Sequence, residues 1–129
     1  SMVTEKGMAK LLVVEDDENL RETVQDWLIF ENHTVEIAIT GPEALEQLSI
    51  SQFDLIVLDW YLPDIDGIDV LKRYRASGGT TPVLMLSGRD SDQARQAGMA
   101  AGAIKFLKKP FRLQELSAAI RETLGPNKS

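Results

Sequence analysis

Five short apolar runs recur along the chain: Leu11–Val14, Thr34–Ala38, Leu55–Leu58, Val83–Leu86 and Ile104–Leu107. Leu55-Ile56-Val57-Leu58 and Val83-Leu84-Met85-Leu86 are apolar without a break, the pattern of parallel strands covered on both faces. Between the runs lie amphipathic stretches that predict helices over Asn19–Glu31, Pro42–Ser49, Gly67–Ala76, Ser91–Ala101 and Leu113–Leu124. Leu20, Val24, Trp27 and Leu28 recur at helical spacing in the first, as do Leu113, Leu116, Ile120 and Leu124 in the last. Pro42 suits a first helical turn, and Gly78-Gly79 and Gly102 suit helix ends. The order is β-α five times over. It predicts an α/β fold: a five-stranded parallel sheet, doubly wound, with helices on both faces as a three-layer sandwich.

In such a sheet, ligands bind at the carboxyl ends of the strands. The first predicted strand ends in Glu15-Asp16-Asp17, the third in Asp59, the fourth in Ser87 and the fifth in Lys108-Lys109-Pro110. Several carboxylates, one hydroxyl and one ammonium would therefore meet at one edge. Clustered carboxylates need a cation or a raised pKa. With oxygen ligands alone, Mg²⁺ is the expected cation. A lysine beside such a cluster suits a phosphoryl group, whose oxygens both cations neutralise.

Composition narrows the chemistry further. The 129 residues suffice for one ordinary domain, expected over residues 9–124. Residues 1–8 read as a tag remnant (Ser1 before Met2) and flexible N-terminus, and 125–129 as the start of a linker or C-terminal tail. There is no cysteine and a single histidine, His33, which removes thiolate chemistry and His-rich metal sites. No apolar run reaches the roughly 18–20 residues of a membrane span, and no signal peptide is evident, so a cytoplasmic domain without membrane contact is expected. The net charge of −6 argues against nucleic-acid binding by this domain. That charge is unevenly distributed. Residues 1–65 hold 14 acids and 3 bases, and residues 66–129 hold 6 acids and 11 bases. An acidic site built early and met by a base supplied late fits this split.

Four segments then carry a resemblance: Leu11-Leu12-Val13-Val14-Glu15-Asp16-Asp17, Asp54 through Gly67, Pro82-Val83-Leu84-Met85-Leu86-Ser87 and Phe106-Leu107-Lys108-Lys109-Pro110-Phe111. In order, and at the ends of the right strands, they resemble the receiver domain of two-component response regulators, a CheY-like family with a flavodoxin-like fold. The resemblance covers about residues 9–124. It implies that Asp59 accepts a phosphoryl group from a sensor histidine kinase or a histidine phosphotransfer protein. It implies Mg²⁺ held by Glu15, Asp16, the Asp59 carboxylate and the Tyr61 main-chain carbonyl. Ser87 would bond the phosphoryl oxygen and Lys109 would pair with it. Phe106 would move on activation, and the Lys109–Pro110 bond would be cis. The switched surface would be the face of the fourth helix, fifth strand and fifth helix, which controls an output domain or partner. Such a domain catalyses its own phosphorylation and slow dephosphorylation and is not otherwise an enzyme.

Competing readings stand beside these. A receiver-like interaction module without phosphorylation, or a Mg²⁺-dependent phosphohydrolase, would use the same fold. Asp64-Ile65-Asp66-Gly67 fits neither the aspartate pair of haloacid-dehalogenase phosphatases, since Pro63 intervenes, nor a calcium loop, which would place Leu62 and Arg73 at ligand positions. No Gly-rich phosphate loop follows the first strand. Asp17 and Glu18 read as helix-start acids, Lys108 as solvated, His33 as a turn or surface residue, and Trp60 as partly exposed. Ile104, Lys105 and Ala119 replace the acidic pair and arginine typical of the winged-helix subclass, which leaves the output type open. Tyr61 and Arg89, two beyond Asp59 and Ser87, are expected to shield an acyl phosphate from water. Arg89, Arg95, Lys105, Lys108, Arg112 and Arg121 are expected to give the signalling face a basic tint.

Overall fold

A computed structural model describes residues 9–88 and 91–125. The expectations that involve Arg89, the residues before Ala9 and the residues after Gly125 lie outside them. The strands are β1 (Lys10–Val14), β2 (Thr34–Ala38), β3 (Leu55–Asp59), β4 (Val83–Ser87) and β5 (Lys105–Lys108). The helices are α1 (Glu18–Phe30), α2 (Gly41–Ile50), α3 (Gly67–Ala76), α4 (Asp92–Ala101) and α5 (Leu113–Leu124). All ten lie where the hydrophobic pattern predicts them, with ends that shift by a residue. Two of the shifts have a visible local cause. Ser91, read as the first residue of the fourth helix, is instead its N-cap and accepts a hydrogen bond from Ala94 N at 3.1 Å. Glu31 closes α1 from outside, its N–H bonded to the Trp27 carbonyl at 3.1 Å.

The strands form one parallel sheet in the order β2-β1-β3-β4-β5. Side chains alternate between its faces with period two, and each face builds its own core. Leu11, Val13, Leu55, Val57, Leu84 and Leu86 face α1 and α5, packing with Val24, Leu28, Leu116 and Ile120. Leu12, Val14, Ile56, Leu58, Val83 and Met85 face α2, α3 and α4, packing with Ala44, Val70, Leu71 and Ala94. This double coverage explains why the central strands are apolar throughout, whereas the edge strand β2 (Thr34-Val35-Glu36-Ile37-Ala38) alternates. Burying one such leucine contributes about 1.5–3 kcal/mol, so the paired cores dominate the stability. A polar clasp joins α1 to α5: Trp27 Nε1 donates to Ser117 Oγ at 2.8 Å, and Ser117 Oγ donates to Glu31 Oε1 at 2.6 Å.

Two expectations change. His33 lies in the α1–β2 turn but is buried, its Nδ1 accepting from Ala9 N at 3.4 Å. Burial pulls its pKa below the usual histidine value. Trp60 is also buried. Its N–H bonds the Leu86 carbonyl at 2.9 Å, and its ring meets Phe106 edge-on at 5.9 Å between centroids. Among the described residues, no helix is long and apolar enough to cross a membrane.

Candidate functional site

The strand order reverses between β1 and β3, where the sheet opens its ligand crevice. β1 delivers Glu15 and Asp16, and β3 delivers Asp59. A carboxylate oxygen from each of the three lies within 4.8 Å of the others. Glu15 and Asp59 are buried and Asp16 is exposed. Lys109 enters from beyond β5. Its Nζ donates to Glu15 Oε1 at 3.0 Å and stands 3.0 Å from Asp59 Oδ1. The Lys109–Pro110 bond is cis, and Lys109 N bonds the Ser87 carbonyl at 2.8 Å.

An open cleft of about 370 Å³ is lined by Glu15, Asp16, Asp17, Asp59, Tyr61, Leu62, Pro63 and Lys109. Tyr61 is about half exposed at its rim. Ser87 ends β4 and is fully buried, and it is not among the lining residues. Phe106 is likewise set back from the cleft. Its partly buried ring packs against the core under α4, beside Trp60 and against Gly98, with the Arg95 guanidinium 5.9 Å from its centroid. The structure therefore brings Glu15, Asp16, Asp59, Tyr61 and Lys109 into one cleft, and holds Ser87 and Phe106 behind it.

The electrostatics are those of an acidic site short of positive charge. Glu15 has its pKa raised from 4.5 to about 7, first by burial, then by a side-chain hydrogen bond and the charge of Asp59. Lys109 and the Asp17 N–H oppose that rise. For Lys109, burial alone would lower the pKa, but the bonds and charges of Asp59 and Glu15 together hold it above the ordinary 10.5. One ammonium thus serves two buried carboxylates. A hard, oxygen-seeking divalent cation suits the remaining charge, and the donor set of three carboxylates fits it.

Three supports escaped the sequence reading. Asp17 caps α1, its Oδ1 accepting from Leu20 N at 3.0 Å, as expected of a helix-start acid, but its N–H also bonds Glu15 Oε2 at 3.2 Å. Gly67 runs so close beneath the site that an added Cβ would collide with the Asp59 carbonyl oxygen. Glycine there is a requirement of close backbone approach. Arg21 Nη1 donates to the main-chain carbonyls of Glu15 (3.1 Å) and Asp16 (3.2 Å). The available signal was its rarity, since Lys6, Lys10 and Arg21 are the only bases in the first 65 residues.

Three carboxylates and one lysine thus stand together at the carboxyl edge of a β2-β1-β3-β4-β5 sheet. The sequence model of the response regulator receiver domain matches residues 11–121, and the chain belongs to that family. It is 43% identical to response regulator MprA of Mycobacterium ulcerans over 119 residues, covering 92% of this chain and 51% of that protein. Response regulator MprA of Mycobacterium leprae is 42% identical over 119 residues, with 92% and 52% covered. The chain spans about half the length of these curated relatives. Among solved structures, the Francisella response regulator 1452 receiver domain gives a TM-score of 0.87 at 32% identity, covering 90% of this chain and 96% of that one. Chemotaxis protein CheY4 of Vibrio cholerae gives 0.86 at 34% identity, covering 91% and 99%.

Proposed function

We propose that residues 9–124 form a phosphoacceptor switch in which Asp59 takes a phosphoryl group from a phosphohistidine on a sensor histidine kinase or histidine phosphotransfer protein. The observation that carries this reading is the buried Asp59 carboxylate, 3.0 Å from the Lys109 ammonium and beside Glu15 and Asp16. An Asp59 oxygen forms the new bond to phosphorus as the P–N bond of the donor breaks. The leaving imidazole nitrogen keeps the electron pair and is protonated from water. Such a transfer depends mainly on positioning and charge neutralisation. Lys109 meets the phosphoryl oxygens, and Ser87 hydrogen-bonds one of them. Glu15, Asp16, the Asp59 carboxylate and the Tyr61 carbonyl would hold Mg²⁺, which when bound supplies further neutralisation of those oxygens.

The product carries roughly −1.5 to −2 charge where the Asp59 carboxylate carried −1, next to Ser87 and Lys109. Ser87 follows the new oxygens, Phe106 repacks against α4, and the face of α4, β5 and α5 changes. That face would control an output domain or partner in a cytoplasmic signalling protein. The domain catalyses its own phosphorylation and slow dephosphorylation. The face is mixed in charge: Lys105 pairs with Glu122 at 3.0 Å and Arg112 with Glu115 at 3.6 Å. The basic tint expected there is therefore partly cancelled within the domain.

The test is incubation with Mg²⁺ and acetyl phosphate, followed by intact mass. One added phosphoryl group, lost in Asp59→Asn, is the expected result. No adduct from either acetyl phosphate or a cognate kinase favours an interaction module, and turnover of phosphomonoesters favours a hydrolase. Tyr61→Asn combined with Arg89→Glu is expected to hasten decay of the adduct, as unshielding predicts.

A further inference from the structure

We propose that Arg21 is a positioning residue for the divalent-cation site, fixing the loop that carries Glu15 and Asp16 by holding both of their main-chain carbonyls. The inference rests on the cation-binding reading above. It starts from the asymmetry between the three acids. Asp59 ends a central strand, and its backbone is still in register with Leu86 of β4. Glu15 and Asp16 follow the last paired residue of β1, so their backbone leaves the ladder just where two ligands are needed. Glu15 N still bonds the Ala38 carbonyl at 3.0 Å. Asp16 has no such strand partner among the described residues, and it is exposed.

The Arg21 guanidinium takes up that role from the side. Its Nη1 bridges two successive carbonyls, at 3.1 and 3.2 Å. Arg21 itself is anchored in α1, its N–H bonded to the Asp17 carbonyl at 2.9 Å. Loop and helix thus form a closed circuit through Asp17, whose N–H also reaches Glu15 Oε2. With both carbonyls bound to Arg21, the loop is fixed while the Glu15 and Asp16 carboxylates gather near Asp59. A cation gains affinity when its ligands need not be ordered on binding, and loss of a group that supports ligands from behind typically weakens a metal site by about 10–100-fold. Both bonds come from the one Nη1, so what Arg21 supplies is two N–H groups on a side chain long enough to reach from α1.

The experiment is calorimetric titration of Mg²⁺ into the intact chain and into Arg21→Ala and Arg21→Lys, with thermal unfolding of each in EDTA. The expected result is a dissociation constant about 10-fold higher for Arg21→Ala. Arg21→Lys should be intermediate, since its ammonium keeps the donors but sits on a side chain of shorter reach. In phosphorylation by acetyl phosphate, Arg21→Ala should need more Mg²⁺ for half-maximal rate yet reach the wild-type rate at saturation. Unchanged Mg²⁺ affinity in a folded Arg21→Ala protein overturns the proposal, as does a rate that stays low at saturating Mg²⁺. If Arg21→Ala is unfolded in EDTA, Arg21→Lys decides alone: weakened Mg²⁺ binding supports the bridge, and wild-type affinity overturns it. Absence of Mg²⁺ binding by the wild-type chain overturns the cation reading itself, a result distinct from the others.

Discussion

Two lysines four positions apart form ion pairs of the same length and opposite character. Lys105 Nζ lies 3.0 Å from Glu122, with side chains 35% and 66% exposed. Lys109 Nζ lies 3.0 Å from both Glu15 and Asp59, whose side chains are 1% and 5% exposed. Distance alone does not separate them, but solvent does. The Lys105 pair joins β5 to α5 in water, where attraction is screened and side-chain ordering opposes it. The Lys109 cluster is held at the sheet edge, where two carboxylates compete for one ammonium and where removing a partner strands a buried charge. The first pair is replaceable decoration, and the second is a site poised to accept more positive charge.

The largest test of that contrast is chemical. Asp59→Asn is expected to abolish the phosphoryl adduct entirely, while Glu122→Gln leaves it intact, as intact mass after acetyl phosphate treatment would show. Next comes stability without divalent cation. Lys109→Met is expected to lower the unfolding free energy at pH 8 by about 1–3 kcal/mol, below the full penalty for a buried pair because Lys109 is partly exposed. Lys105→Met should change it by less than about 1 kcal/mol. Equal losses in urea titrations of the two variants would remove the contrast.

A pH scan sharpens the comparison. Glu15 carries its proton to about pH 7 in the folded chain, against 4.5 when unfolded. The folded state therefore binds more protons between those values. The stability linked to that proton is fully present below about pH 4.5 and is lost as pH rises through about 7. Urea midpoints in EDTA should fall across this window, the fall should vanish in Glu15→Gln, and Mg²⁺ should reverse it by favouring the ionised form. The smallest effect concerns salt. Whatever Lys105→Met costs should disappear in about 0.5 M NaCl, since the Debye length drops to a few ångströms, whereas the cost of Lys109→Met should largely persist.

The architecture was legible because its signals are local. An uninterrupted run such as Leu55–Leu58 reports coverage on both faces, and strand ends follow from where such runs stop. The same rule brought Glu15, Asp16, Asp59 and Lys109 together, since parallel strands deliver their last residues to one edge. Trp60 was misread because its partners, the Leu86 carbonyl and the Phe106 ring, are 26 and 46 residues away. His33 lies in the expected turn, and its burial was hidden for a like reason: its partner is the Ala9 N–H, across the start of the sheet. Arg21 hid among helix-surface positions because what it holds is main chain, which no residue pattern displays. The split between early acids and late bases was consistent with Lys109, yet it overstated the rest, since Lys105 and Arg112 find acids close by.

The two tryptophans occupy different layers, and this makes the chain its own two-channel fluorimeter. Trp60 is buried one residue from Asp59 with its ring against Phe106, so its emission is placed to register events at the carboxylates and the packing of that aromatic. Trp27 reports elsewhere, through its bond to Ser117 between α1 and α5. Trp27→Phe and Trp60→Phe would separate the channels, one tuned to chemistry and the other to the opposite helical layer.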